Sequence, residues 1–382
     1  MSGRLNLPVN TPENKSCLVI AQSARSLAQS ATAAGYMVHA IDRYGDMDTI
    51  AASFDYRVVA GKGSQLDTVE LGKVLREFER QSDLDVILGS GLEASPEFTE
   101  YVDGHWRYCG NTSVVIRACS NPHLFLPLLD ELDIPHPETR FEPPGAQGNW
   151  LVKKPATNGG VDVLQYRTGM TCTEDSYFQQ YIPGRHLSVV FLADGSGACI
   201  TGYNETRVAD RQQGDFRYAG ACSIPSPEGA SYADLATYPS LLTEKLGLQG
   251  LCGIDIVVND AGKSLVLELN PRVPATFEFH DRNGFMIQAH IDACRGKLPG
   301  YINEVQGYHA TKVVFAERDI LIPVFDWPEW CSDRPSPGTQ TGIREPLCTI
   351  HARADDRAKV ENLLAERQEQ LMHAMHKRLE AA

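Results

Sequence analysis

The alternation of apolar and polar residues is clearest between positions 251 and 270, where it predicts two β-strands. Residues 251–258 and 264–270 carry apolar side chains at every second position, and Asn259-Asp260-Ala261-Gly262 between them is a typical turn sequence. The apolar face consists of Ile254, Ile256, Val258, Leu265, Leu267 and Leu269. The pattern therefore predicts an antiparallel hairpin that buries one face.

The other face of this hairpin is acidic. It carries Asp255 on the first strand and Glu268 with Asn270 on the second. Either a two-residue or a four-residue loop within the turn places Asp255 directly opposite Glu268. Because facing like charges destabilise a sheet, we expect a divalent cation with oxygen ligands here. Arg272 lies on the same face as a partner for phosphate, although an ordinary hairpin with a polar outer face fits the same residues.

The first part of the chain alternates short apolar runs with helical segments. The runs that predict buried strands are Cys17–Ala21, Met37–Ile41, Tyr56–Val59 and Asp85–Leu88. A helix over 25–34 separates the first two, which is typical of a β-α-β unit with parallel strands. The loop before this helix lacks the GxGxxG dinucleotide fingerprint. Arg25, at the end of the first strand, either contacts a substrate or forms an ordinary surface pair.

A glycine-bearing loop follows the apolar run at 149–153. Lys154 and Asn158-Gly159-Gly160 lie in this loop, and a second short strand is predicted at 161–164. The glycines let backbone N–H groups approach phosphate oxygens closely, and the ammonium of Lys154 suits the same ligand. No Gly-Lys-Ser/Thr precedes a helix, so this is not a Walker A loop. The pattern fits either a flap over phosphates or a simple surface hairpin.

Residues 177–194 predict a strand, a Pro-Gly break and a second strand. The linker residues, whose backbone could bind the edge of an adenine, are Gln179, Gln180, Tyr181 and Ile182. Residues 203–223 predict a polar loop that either closes over an active site or is only solvated. Its Arg207 and Arg217, together with Arg25, could hold an acidic substrate.

The patterns along the chain predict five regions. They are residues 1–110, an open α/β domain; 111–145, a helical linker; 146–200, a small subdomain with the flap; 201–305, a large subdomain with the metal site; and 306–382, C-terminal strands and a helix that pack on the core. The chain of 382 residues is too long for a single core, which agrees with this division.

Composition narrows the class of protein. A net charge of −14 argues against nucleic acid or an anionic membrane as the main partner. The ten cysteines form no CxxC pair, and there is no signal-peptide pattern, so we expect reduced thiols in a cytoplasmic protein without a zinc site. No apolar run reaches the roughly 18 residues that a membrane helix needs.

In this order the motifs resemble the ATP-grasp superfamily of carboxylate–amine ligases. The residues that carry the resemblance are Lys154 with Asn158-Gly159-Gly160, Gln179-Gln180-Tyr181-Ile182-Pro183-Gly184, Asp255, and Glu268-Leu269-Asn270-Pro271-Arg272. The start of the chain resembles the pre-ATP-grasp domain of these enzymes. The FAERDILIP and PLCTIHA segments resemble a subgroup near tyramine–glutamate ligase and its relatives in one-carbon cofactor biosynthesis.

The resemblance implies an α/β (α+β) fold, with a parallel pre-ATP-grasp sheet followed by two antiparallel sheets that sandwich ATP. It further implies roles for single residues: backbone near Gln180 and Ile182 on adenine, Lys154 on the α/β-phosphates, Asp255, Glu268 and Asn270 on one or two Mg²⁺ (or Mn²⁺) ions, and Arg272 on the γ-phosphoryl group or an acylphosphate. Two departures are Asn121-Pro122, where the family has Asp-Lys, and Arg185-His186, where it has a ribose-binding acid.

The function implied is ligation of a small carboxylate to an amine through an acylphosphate, with release of ADP and phosphate. The carboxylate would be amino-acid-like or a cofactor precursor, and the family also leads us to expect a homodimer. Because the lysine is missing at Asn121-Pro122, a catalytically inactive ATP-binding regulatory protein is the alternative. A protein that binds no nucleotide is the third hypothesis.

Overall fold

The computed structural model describes residues 15–81, 83–145, 148–211, 214–227, 234–302 and 306–380. The helices in these ranges are α1 (Arg25–Ala33), α2 (Met47–Ala51), α3 (Thr68–Leu75), α4 (Pro96–His105), α5 (Ser113–Ser120), α6 (Pro122–Glu131), α7 (Tyr238–Leu246), α8 (Phe285–Cys294) and α9 (Arg357–Glu380), with 3₁₀ turns at Asp234–Ala236 and Ala275–Phe279. No helix of these ranges is long and apolar enough to cross a membrane.

The strands of the described ranges are β1 (Ser16–Ile20), β2 (Met37–Asp42), β3 (Asp55–Val58), β4 (Gly61–Lys62), β5 (Gln65–Leu66), β6 (Asp85–Leu88), β7 (Arg107–Cys109), β8 (Thr139–Arg140), β9 (Trp150–Lys153), β10 (Leu164–Gln165), β11 (Tyr177–Gln180), β12 (Gly184–Asp194), β13 (Ala198–Asp210), β14 (Asp215–Ile224), β15 (Gln249–Asn259), β16 (Ser264–Asn270), β17 (Tyr308–Phe315), β18 (Ile320–Leu321), β19 (Cys331–Ser332), β20 (Gln340–Thr341) and β21 (Pro346–Ala354).

The N-terminal domain is built on a parallel sheet in the order β3-β2-β1-β6-β7. Its central strands are apolar because helices cover both faces, as parallel sheets require. Helix α1 starts within five residues of the end of β1, and Gly35 allows the turn after the helix with a φ of +85°. The open parallel sheet predicted from the sequence is confirmed.

Two antiparallel sheets follow. The smaller one has the order β10-β9-β11-β8, and the larger one has the order β16-β15-β12-β13-β14-β17-β21-β19. Strands β9 and β10 pair antiparallel, so the loop between them is held as a flap between two strands of the small sheet. This architecture confirms the fold class expected from the resemblance.

The prediction of a polar loop over 203–223 is wrong, because most of this segment lies in β13 and β14. Strand β13 pairs with β12 on one side and with β14 on the other. A strand inside a sheet satisfies its backbone through both neighbours, so half-buried polar side chains do not prevent its formation. Residues 212 and 213, at the turn, lie outside the described residues.

The C-terminal region continues the large sheet. Strands β17, β21 and β19 extend it beyond β14, so the predicted boundaries at 200 and 305 both fall within one sheet. Antiparallel pairing joins these strands in space although they are distant in the chain. Helix α9 packs on them with Val360 and Leu364 buried and Leu363 half-buried, as predicted for a packing element.

Candidate active site

The acidic hairpin is formed by β15 and β16, and Asp255 pairs directly with Glu268 as predicted. The predicted loop is wrong, because the strands close through the pair Val258–Ser264, which fits neither a two-residue nor a four-residue loop. A β-bulge that adds Leu267 to the second strand shifts the register by one position. The facing pair of acids therefore depends on this bulge.

The bulge also changes which side chains form the apolar face. Val266 and Leu269 pack in one core cluster with Ile254 and its neighbours on β15, whereas Leu265 is buried outside that cluster. Leu267 is half-buried and lines the cleft next to the acids. Because one extra residue reverses the alternation, the predicted face of Leu265, Leu267 and Leu269 is wrong at its first two positions.

The two acids share one hydrogen-bond donor. Asn270 Nδ2 donates to Asp255 Oδ2 at 3.0 Å and to Glu268 Oε1 at 3.2 Å. Burial, and next the charge of Glu268, raise the pKa of Asp255 to about 8, although Ser188 donates a hydrogen bond to Asp255. At pH 7 Asp255 is therefore largely protonated, and both acids are charged only above this pH or when a cation is bound.

These residues fit a hard divalent cation. Two carboxylates and few further protein ligands suit Mg²⁺, which keeps waters and binds phosphate oxygens as well. Within the described ranges, no group of three or more His, Cys, Asp and Glu is arranged to hold a metal. Asn270 Oδ1 accepts from Arg272 Nη2 at 2.9 Å, so the amide presents its nitrogen to the acids in this arrangement.

Strand β9 directs Lys153 into the cleft. Trp150 and Val152 pack with Phe178 on one face of the small sheet, so Lys153 projects from the other face. Its Nζ donates to Gln179 Oε1 at 2.8 Å. Burial lowers the pKa of Lys153, against the opposing effect of the two hairpin acids. Sequence reasoning missed this lysine, although the alternation along β9 contains the signal.

Lys154, the lysine predicted to bind phosphate, lies just after β9. Its side chain is 41% exposed, and its Nζ is 3.9 Å from Asp162 Oδ1. Both Lys153 and Lys154 line the cleft, together with flap residues 155–160. Gly160 has a φ of +67°, and a Cβ there would meet Phe216 O at 2.1 Å. The close approach that requires this glycine is therefore to the backbone of β14.

The linker between β11 and β12 follows the predicted pattern of strand, break and strand. Gln179 is buried in the small sheet, whereas Gln180 is exposed. The backbone N–H of Gln180 donates to Glu138 O at 2.8 Å, and that of Tyr181 donates to Asn149 O at 2.8 Å. These two donors are therefore already engaged within the protein.

His186 lies on β12, at the position where the resemblance leads us to expect an acid. Its Nε2 is buried and has no hydrogen-bond partner in the parts of the chain that the structure describes. Burial, followed by the charges of Arg211 and Lys153, lowers the pKa of His186 to about 4. The imidazole is therefore neutral at pH 7. The sequence marked this position as a departure but did not identify the side chain as a site residue.

Helices α5 and α6 complete the wall of the cleft. Asn121-Pro122, the second departure, forms the junction between them, and Asn121 caps α6 by accepting from the N–H of His123 at 2.9 Å. Pro122 and Phe125 line the cleft. No cation is contributed at this junction by positions 121 and 122.

The three arginines predicted to hold a substrate are each paired with carboxylates. Arg25 is buried between Glu278 and Asp333, with 3.0 Å from Nε to Asp333 Oδ1. Arg207 Nη1 donates to Glu361 Oε2 at 2.7 Å, and Arg217 Nη2 donates to Asp215 Oδ2 at 2.7 Å. None of the three is among the residues that line the cleft described above. Their predicted substrate role finds no support in this geometry.

Comparison with known proteins places this cleft in a family. Residues 119–276 match the family model of the ATP-grasp domain, and this part of the chain is therefore an ATP-grasp domain. The matched segment includes the flap, the linker and the acidic hairpin. No match was found among the curated proteins.

Solved structures show the same fold over most of the chain. Pyruvate carboxylase from Rhizobium etli is 16% identical with a TM-score of 0.72 over 93% of this chain, which spans 37% of that protein. L-amino acid ligase from Bacillus licheniformis is 12% identical with a TM-score of 0.67, covering 94% of this chain and 98% of that one. The ADP complex of purK, an N5-carboxyaminoimidazole ribonucleotide synthetase, is 14% identical with a TM-score of 0.67, covering 96% and 98%. At these identities the likeness establishes the fold alone.

Proposed function

We propose that the chain is an ATP- and Mg²⁺-dependent carboxylate–amine ligase that acts through an acylphosphate. The observation that carries the proposal is the facing pair Asp255 and Glu268, because Glu268 lines a cleft that also contains Lys153 and the flap, within residues that match the ATP-grasp domain. Two structural neighbours support it by name, since one is an L-amino acid ligase and another binds ADP. The acid would be amino-acid-like or a cofactor precursor.

The nucleotide would lie between the two antiparallel sheets. Lys153 is the stronger candidate for the α/β-phosphates, because its ammonium lies on the cleft face of β9, and Lys154 would approach them from the flap. Since the N–H groups of Gln180 and Tyr181 are engaged, an adenine edge would meet Ile182 or backbone carbonyls of the linker. The neutral His186 could offer its unpartnered nitrogen to the sugar.

Mg²⁺, held by Asp255, Glu268 and Asn270 when bound, would supply positive charge against the β- and γ-phosphates. Arg272 would steady the transferring phosphoryl group, because its guanidinium is fixed at the edge of the acidic hairpin by Asn270. Flap residues 155–160 would exclude water from an acylphosphate, which hydrolyses readily. The chain itself would thus position and stabilise charges, and no side-chain nucleophile is required.

Trapping of the activated acid tests this proposal without knowledge of the amine. The protein would be incubated with ATP, Mg²⁺, hydroxylamine and a panel of amino acids and related carboxylic acids, and hydroxamate and ADP would be measured. We expect both products with the correct acid and neither with Glu268→Ala. ADP without hydroxamate for every acid would contradict the acylphosphate.

Calorimetry of ATP binding, combined with the assay for ADP, separates the ligase from the inactive alternative. A regulatory protein would bind ATP with Mg²⁺ but would form no ADP with any acid or with cell extract. A protein that does not bind ATP at all would disprove both proposals.

A further inference from the structure

Arg272 belongs to a closed ring of three side chains. Its Nε donates to Glu93 Oε1, and its Nη2 donates to Asn158 Oδ1 at 3.0 Å. Asn158 Nδ2 in turn donates to Glu93 Oε2 at 2.6 Å. The ring therefore joins the acidic hairpin, the flap and the N-terminal domain through one residue of each.

Glu93 is held rigidly in its own loop. Its Oε2 also accepts from the backbone N–H groups of Gly91 at 2.8 Å and Leu92 at 3.0 Å. Its side chain is only 12% exposed. A carboxylate that accepts from two backbone amides, an amide side chain and a guanidinium is held in one orientation and can position its partners.

The N-terminal domain contacts the flap at two further points. The N–H of Asn158 donates to Ser64 Oγ at 3.2 Å, and Gln65 Nε2 donates to Ala156 O at 2.9 Å. Asn158 is 9% exposed. The flap therefore lies closed on the N-terminal domain.

We propose that Glu93 is a positioning residue that couples closure of the flap to the orientation of Arg272. Glu93 fixes the Nε side of the guanidinium, and Asn158 and Asn270 fix Nη2. Among the described residues, Nη1 has only a long contact of 3.4 Å to Val273 O. The ring thus leaves Nη1 available to a transferring phosphoryl group, and only a closed flap completes the ring. The role of Arg272 on phosphate rests on the proposed function, whereas the tie between Glu93 and the flap does not.

Glu93→Gln tests the coupling with little change of shape. The remaining oxygen can still accept from the backbone, but the carboxylate charge and one acceptor are lost. Arg272 and Asn158 therefore compete for the single remaining oxygen. We expect kcat for ADP formation to fall about 10- to 100-fold, with KM for ATP changed less than about threefold, because Arg272 would act on the transition state. Glu93→Asp, which keeps the charge, should recover part of kcat.

Glu70→Gln is the matched control. Glu70 is another N-terminal-domain carboxylate that accepts from a backbone N–H, that of Ala60 at 2.8 Å. It has no hydrogen bond to Arg272 or to the flap among the described residues, so its kcat should remain within about twofold of the unmodified protein. Equal effects of Glu70→Gln and Glu93→Gln on kcat would overturn the proposal.

Hydrogen exchange in the nucleotide-free protein tests the structural half independently of activity. We expect the amides of residues 156–160 to exchange about tenfold faster in Glu93→Gln and in Asn158→Asp, which places a second carboxylate against Glu93. Asn158→Asp provides the measurement if Glu93→Gln fails to fold. Unchanged exchange in a folded variant overturns the coupling. Faster exchange in a chain that forms no ADP would support the tie and reject the proposed ligase function instead.

Discussion

Two carboxylates of the large sheet have opposite environments. Glu205 on β13 lies between Arg185 and Arg357, with donor distances of 2.9 and 2.8 Å to Oε2. Burial alone would raise the pKa of Glu205, but the two guanidinium groups outweigh it and lower that pKa to about 2. Asp255 on β15 faces another acid, and burial together with Glu268 raises its pKa to about 8.

The difference distinguishes an acid that stabilises the fold from an acid that is suited to bind a ligand. Where the sheet meets helix α9, the acid is compensated by cations of the chain itself, including Arg357 at the start of that helix. At the acidic hairpin the chain leaves two acids with one amide between them. Facing acids that form no ion pair with a cation of the described residues are typical of sites that bind an external cation. The predictions below test this contrast.

The largest effect is expected for Glu268→Gln. The change keeps the shape of the side chain but removes one charge from the proposed Mg²⁺ ligands, so ADP formation should fall about 100- to 1000-fold. Above pH 8, where both acids of the metal-free protein are charged, the free energy of unfolding should rise by up to about 1 kcal/mol, because the change relieves their repulsion. ADP assays and urea unfolding with a chelator measure both. A loss of stability together with a loss of activity would contradict the interpretation.

Lys153→Met and Lys154→Met form a matched pair with the next largest effect. We expect Lys153→Met to raise KM for ATP about 10- to 100-fold, because its ammonium lies in the cleft beside the acids. Lys154→Met should change KM less, about two- to fivefold, since its side chain is 41% exposed and lies near Asp162. ATP titrations of ADP formation measure both values. The reverse order would assign the phosphate contact to Lys154, as the sequence motif predicts.

Glu205→Gln should affect stability and leave catalysis intact. Loss of the carboxylate leaves Arg185 and Arg357 without their shared partner, so the free energy of unfolding should fall by about 1–3 kcal/mol. The rate of ADP formation should remain within about twofold. Urea unfolding and the ADP assay check the two statements. If Glu205→Gln lost most of its activity at unchanged stability, the assignment of Glu205 to stability and of Asp255 to binding would be wrong.

The pH dependence of stability in the chelator-treated protein should have opposite signs at the two acids. The pKa of Asp255 is raised from 3.8 to about 8, so between these values the folded state holds a proton that the unfolded state has lost. The free energy of unfolding therefore falls as the pH rises from about 4 to 8, by at most about 1.4 kcal/mol per pH unit. The pKa of Glu205 is lowered from 4.5 to about 2, so its contribution is complete above pH 4.5 and is lost as pH falls towards 2.

Unfolding by urea between pH 5 and 8 isolates the first of these effects. Asp255→Asn should flatten the decline in this range, whereas Glu205→Gln should not. An unchanged slope in Asp255→Asn would show that other groups dominate it.

The sequence predicted best those elements whose structure follows the local spacing of apolar residues. The alternation on β15, the apolar runs of the parallel sheet and the strand, loop and strand around Gly159 and Gly160 were all predictable, because each depends on neighbours within a few residues. The pairing of Asp255 with Glu268 was predicted correctly, although the loop length used to predict it is wrong. A bulge at Leu267 has no sequence signal that distinguishes it from regular alternation.

Partners that are distant in the chain could not be predicted from the sequence. Arg25 meets Asp333, and Arg207 meets Glu361, across more than 150 residues of chain. No local pattern reveals such partners, so the sequence leaves a substrate role for these arginines open. The contacts of Glu93 with Arg272 and Asn158 are unpredictable for the same reason, because only the fold brings these residues together.

The continuity of the large sheet limits where the chain could be shortened. Strand β14 is followed in the sheet by β17, which pairs through Cys222 and Ala310 and brings β21 with it. Removal of residues 306–382 would turn β14 into an uncovered edge with a buried stretch at Ala219–Ser223. An apolar edge of this kind recruits strands from other copies of the protein and promotes aggregation. The C-terminal region therefore also protects the folded protein against self-association.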